Sequence, residues 1–247
     1  MVGSGVETLR PCSPMNSPSP KLIFLPGMDG TGELFKELLE ALPKAFGTEL
    51  VRYPTDRCLS YAQLMPIVKS SIPDHEPFVL VVESFSTPLA VQLAATNPSN
   101  LKGLVICAGF VTSPAPGLWG FICKLFAPIL CGVTLPKWTA RLLLVGPNPS
   151  PRLVAAVRAT VSSVKSKVLS ARLRAVLSCD ARTELHQVVV PILYIRAKED
   201  LLIPESCFEE IRRIKPQTAV KVIRGPHLLF QREPQQTAEI ISGFIQQ

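Results

Sequence analysis

The sequence predicts an α/β protein, a mostly parallel doubly wound sheet carrying a helical insertion. Three observations predict it. Short apolar runs without polar alternation recur at residues 22–25, 78–82, 104–107, 188–195 and 220–223, as expected of strands covered on both faces. Between them lie segments with helical spacing. The interval 111–182 breaks this rhythm, being rich in proline at first and then running from 153 to 177 with no strand signal.

In chain order, residues 1–20 form a Pro/Ser-rich segment without a basic start or a long apolar run, unlike a signal peptide. Residues 22–25 begin the sheet, and Leu34, Phe35, Leu38, Leu39 and Leu42 make an apolar helical stripe. A weaker strand is expected over 49–53, with helices over 59–72 and 88–95 on either side of the strand at 78–82. The run 104–107 closes the first half of the core (21–110), and 111–182 is expected to be a helical cap. The second half (183–247) holds strands at 188–195 and 220–223, a helix over 208–214, and a last helix opened by Pro234.

Composition narrows the function classes. A charged fraction of 18% and a mean hydropathy of +0.29 describe a buried globular chain and exclude a disordered one. The net charge of +7 is concentrated: 111–182 carries ten Lys and Arg against Asp180, a net +9, which leaves −2 elsewhere. That distribution argues against nucleic acid as a partner and for something local to the cap. Seven cysteines stand without a C-x-x-C pair, and with three histidines they predict neither a zinc site nor any other metal. They read as buried thiols in a reducing compartment, so a cytoplasmic location is expected. The apolar stretch 117–135 contains Lys124 and Pro128 and does not suit a membrane span.

Four loops carry candidate chemistry, each directly after an apolar run. The run 78–82 leads through Glu83 into Ser84-Phe85-Ser86-Thr87-Pro88, a serine among small residues at a strand-to-helix turn. The run 22–25 leads into Pro26-Gly27-Met28-Asp29-Gly30-Thr31-Gly32; its glycines match neither G-x-G-x-x-G nor the P-loop, which disfavours a nucleotide site. After 188–195 come Glu199 and Asp200, ahead of Leu201-Leu202-Ile203-Pro204. After 220–223 comes Gly225-Pro226-His227; the other two histidines, His75 and His186, have no comparable placement.

Together these segments resemble the α/β-hydrolase superfamily, with Val82-Glu83-Ser84-Phe85-Ser86 in place of the nucleophile elbow G-x-S-x-G. Ser86 for the second glycine is a small change; Val82 for the first is larger, because that turn is crowded. Ser86 is itself an alternative nucleophile, in a frame ending at Pro88. The resemblance implies Ser84 as nucleophile, His227 as base and Asp200 as its orienting carboxylate. It also implies an oxyanion hole from the backbone N–H groups of Met28 and Phe85, and no cofactor. A serine elbow excludes the aspartate-dependent dehalogenases and epoxide hydrolases of this fold.

The expected activity is that of a serine carboxylesterase acting on small-molecule acyl esters of short to medium chain, with a substrate pocket drawn from Gly27, Trp119 and Phe126. Thioesterase or other acyl-hydrolase activity, including that on esters linked to an acyl carrier protein, is one alternative; an inactive hydrolase-fold receptor is another. The basic cap suggests an anionic partner or lipid surface at its rim. Activity should rise with pH around ~6.5 if the His227 imidazole is unperturbed.

Overall fold

A computed structural model of the chain describes residues 19–115, 117, 122, 125 and 144–246. Six strands pair in parallel in the order β2-β1-β3-β4-β5-β6. They are β1 (Lys21–Leu25), β2 (Thr48–Leu50), β3 (Phe78–Glu83), β4 (Leu101–Cys107), β5 (Ile192–Ala197) and β6 (Ala219–Ile223). Alternate side chains serve opposite faces. Ile23, Leu25, Leu80, Val82, Leu104 and Ile106 pack into one core; Leu22, Phe24, Val79, Val81, Val105 and Cys107 pack into the other. Both faces of the central strands are therefore dry, which is why those strands read as unbroken apolar runs.

The first face is covered by α2 (Tyr61–Lys69), α3 (Thr87–Ala95), α6 (Arg182–Gln187) and α7 (Glu205–Ile214), whose Leu64, Leu89, Leu185 and Ile211 are buried there. The second is covered by α1 (Lys36–Ala41), the short α8 (Leu229–Arg232) and α9 (Pro234–Ile245), through Leu38, Phe230 and Ile241. Helix α2 starts on a capping box: Ser60 Oγ accepts from the Gln63 N–H, and Gln63 Oε1 accepts from the Ser60 N–H. Between β4 and β5 lie α4 (Pro151–Ser162), capped by Ser150, and α5 (Ser166–Val176). None of the described helices is long and apolar enough to cross a membrane.

Two expectations are corrected. Residues 188–191 are not strand: Val188 caps α6, Val189 is 76% exposed, and β5 begins only after Pro191, which lacks the N–H a ladder requires. Within the helical insertion, the pattern over 153–177 divides into two helices, because residues 163–165 turn away and the Lys165 N–H bonds to the Thr55 carbonyl at 2.9 Å. The strand expected over 49–53 spans only Thr48–Leu50. As the outermost strands, β2 and β6 are covered less than the rest, and the burial of β6 is confined to Ile223.

Candidate active site

The strand order reverses beside β1, so the carboxyl ends of β1 and β3 open onto the crevice where α/β sheets hold their sites. Ser84 follows β3 at that edge with φ +48°, a left-handed conformation costly to any residue with a Cβ. Thr87 Oγ1 donates to the Ser84 carbonyl at 2.9 Å and so ties the turn to the start of α3. Val82 is fully buried, in register with Leu25 of β1 and Ile106 of β4; the elbow accommodates it as an ordinary core side chain.

The loops after β5 and β6 bring Asp200 and His227 to Ser84. His227 Nε2 lies 3.0 Å from Ser84 Oγ, and Nδ1 lies 2.9 Å from Asp200 Oδ2. Since Asp200 can only accept, the proton belongs on Nδ1, and Nε2 is left to accept from the serine hydroxyl. Asp200 Oδ1 accepts from the backbone N–H of Leu202 (2.8 Å) and Ile203 (3.0 Å), which holds the carboxylate at its post. Both side chains are almost wholly covered, at 6% and 5% exposure for His227 and Asp200. Burial works against the charged imidazole, but the hydrogen bond and charge of Asp200, aided by Glu83, outweigh it and raise the His227 pKa above 6.5.

The alternatives fall elsewhere. Ser86 is fully buried; it donates to the Pro26 carbonyl and accepts from Tyr53 Oη at 2.7 Å. Glu199 faces outward and accepts from Arg224 Nε at 2.8 Å. His75 and His186 are exposed.

The orientation of Met28 and Phe85 follows from their neighbours. In a planar trans peptide the N–H points opposite the preceding C=O. The Gly27 carbonyl accepts from the Gly30 N–H at 3.1 Å, and the Ser84 carbonyl is turned into the start of α3, so the N–H groups of Met28 and Phe85 point away from those bonds. Phe85 is pinned by Tyr61, whose ring stacks on it at 4.9 Å and whose Oη donates to its carbonyl at 2.9 Å. Gly27 backs onto the carboxylate beside Ser84: a Cβ there would stand 3.3 Å from Glu83 Oε2. Trp119 and Phe126 lie outside the described residues.

Two buried charges escape a reading of the sequence. Glu83 is 2% exposed, its Oε1 has no hydrogen-bond partner among the described residues, and burial pushes its pKa up to about 7. Arg172 of α5, also 2% exposed, reaches the loop after β1. The signal for Arg172 was its spacing: Val168, Arg172 and Val176 recur every four residues on the buried side of α5.

No family model matches the sequence. Among curated proteins it is similar to the biotin biosynthesis bifunctional protein BioHC of Cellvibrio japonicus (strain Ueda107), 28% identical over 229 residues, covering 89% of this chain and 44% of that protein. The chain thus spans less than half the length of this relative. Among solved structures it is similar to an enol-lactonase from Burkholderia xenovorans LB400 (TM-score 0.80, 13% identity, 94% of each chain covered). It is also similar to a lipase-esterase related protein from Clostridium acetobutylicum ATCC 824 (TM-score 0.75, 17% identity, 91% of this chain and 93% of that chain). At such identities the likeness speaks for architecture, and in architecture this chain has the α/β-hydrolase fold.

Proposed function

We propose that the chain is a serine carboxylesterase that cleaves short- to medium-chain acyl esters through an acyl-enzyme on Ser84. The observation that carries this reading is the unbroken chain of contacts Ser84 Oγ, His227 Nε2, His227 Nδ1, Asp200 Oδ2, at 3.0 and 2.9 Å. Ser84 Oγ adds to the acyl carbonyl carbon while His227 Nε2 takes its proton. The oxyanion forms against the N–H groups of Met28 and Phe85. Collapse expels the alkoxide, which takes the proton from His227 and leaves as the alcohol. Water then attacks the acyl group, again losing its proton to His227, and the carboxylic acid departs as Ser84 is restored. Asp200 keeps the imidazole in one tautomer throughout and stabilises the imidazolium. The names of the structural neighbours, an enol-lactonase and a lipase-esterase related protein, support an ester-type bond as the target.

The exposed Arg158, Lys165 and Lys167 of the 111–182 insertion suit an anionic carrier, a substrate carboxylate or an anionic lipid surface. The deciding experiment treats the purified protein with a fluorophosphonate and with a panel of p-nitrophenyl esters and acyl-thioesters. Labelling at Ser84, lost in Ser84→Ala, with turnover of C2 to C8 esters, is the expected result. A wild-type protein that neither labels nor turns over would sink the reading, and faster thioester turnover would move the substrate class.

A further inference from the structure

We propose that Arg172, carried by the insertion helix α5, is a positioning residue for the acyl-transfer step, its guanidinium holding the 26–30 loop in the conformation that frees the Met28 N–H. The inference rests on the esterase reading above and adds a residue to it. Arg172 Nη1 donates to the carbonyls of Met28 (2.8 Å) and Asp29 (2.6 Å), and Nη2 donates to the carbonyl of Pro54 (2.9 Å). The neighbouring carbonyls are tied as well: Pro26 accepts from Ser86 Oγ, Gly27 from the Gly30 N–H, and Gly30 from the Tyr53 N–H. Five consecutive carbonyls are therefore committed, and Arg172 supplies the donors for the two in the middle.

The guanidinium is placed to hold main chain and not to neutralise an acid. Among the described residues no carboxylate oxygen lies within 4.0 Å of it, and the Asp29 side chain instead accepts from Thr31 N–H and Oγ1. Its charge is met by three carbonyl dipoles and by the faces of Tyr53 and Phe85, whose ring centres lie 5.7 and 5.9 Å from Cζ. Phe85 is the residue proposed to give the second oxyanion N–H, so one side chain touches both halves of the hole. Gly30 makes the approach possible, since a Cβ there would stand 2.5 Å from Arg172 Nη1. Lysine cannot reproduce a planar fork that serves three acceptors in different directions.

The test compares Arg172→Lys, Arg172→Met and, as a control on the exposed side of the same helix, Arg174→Met. Each is assayed for kcat and KM on the best p-nitrophenyl ester, for unfolding temperature, and for inhibition by an alkyl trifluoromethyl ketone. That inhibitor adds to Ser84 Oγ as a hemiketal whose oxyanion must occupy the hole. Expected for both Arg172 variants is a kcat reduced at least ~10-fold, toward the ~10²–10³-fold that follows loss of an oxyanion donor. KM should stay within about twofold, and the ketone should weaken by the same factor as kcat. Arg174→Met should match wild type. The proposal is overturned if a folded Arg172→Lys keeps wild-type kcat and ketone affinity, or if both variants lose thermal stability while ketone affinity is retained. If the wild-type protein shows neither turnover nor ketone inhibition, the esterase reading fails first and the role of Arg172 with it.

Discussion

The buried carboxyl of Glu83 makes a quantitative prediction about stability against pH. Burial is the main cause of its raised pKa; Asp29 adds to it, and His227 with the Gln231 amide, whose Nε2 lies 3.4 Å from Oε2, works against it. The group titrates at about 7 in the folded chain against an ordinary 4.5, so between those values the folded state binds more protons than the unfolded state. Stability from this group is complete below pH 4.5 and is lost as pH rises through 7. At about 1.4 kcal/mol per tenfold change in the proton equilibrium, the full loss is about 3 kcal/mol, most of which falls between pH 5 and pH 8. Glu83→Gln keeps the shape and removes the titration. In urea unfolding, the stability of Glu83→Gln minus that of wild type should rise by roughly 2–3 kcal/mol from pH 5 to pH 8, with groups not coupled to Glu83 cancelling in the difference and His227, which Glu83 influences, contributing the remainder. Parallel curves, with a gap constant to about 0.5 kcal/mol, would refute the argument that this carboxyl is charged at a cost.

Further outcomes follow from the same geometry. Ser84→Gly and Ser84→Ala both delete the hydroxyl, but only glycine relieves φ +48°; the glycine variant should be the more stable by about 1 kcal/mol in thermal unfolding. The rise of kcat/KM with pH should have its midpoint above 6.5, because Asp200 outweighs the burial of His227; a midpoint at or below 6.5 would contradict the raised pKa. Asp200→Asn should lower kcat by roughly 10³–10⁴-fold and move that midpoint down, since it removes the charge that favours the imidazolium. A fall in rate with an unmoved pH limb would assign the limb to another group.

Much of the fold was legible because burial on both faces leaves a mark that hydropathy alone reveals. The central strands β1, β3 and β4 are of this kind, and so were the loops that end them. The outermost β2 was harder, being three residues long with Thr48 exposed. The run 188–191 misled because its apolar residues do not share a common environment: Val188 is buried and Val189 is not. Ser84, Asp200 and His227 stood out in the sequence because each follows its own strand, and the fold brings His227 within 3.0 Å of both Ser84 and Asp200. Glu83 did not, because nothing in its strand marks a charged residue for burial, and Arg172 showed itself only through its four-residue spacing with Val168 and Val176. Ser86 looked like a tolerated glycine replacement, whereas its hydroxyl bridges Tyr53 and Pro26.

The way the sheet ends bears on self-association. An open ladder of N–H and C=O groups is a template on which another chain can stack, and proteins blunt it with short edges and cations. Among the described residues one margin is a three-residue strand with the Lys21–Glu49 ion pair beside it; the other carries Lys221 within β6 and Arg224 just past it, flanking the half-exposed Val222. Fibril-like growth along the sheet is thereby opposed at both margins, and removing Lys221 would expose the β-branched Val222 as a seed for aggregation.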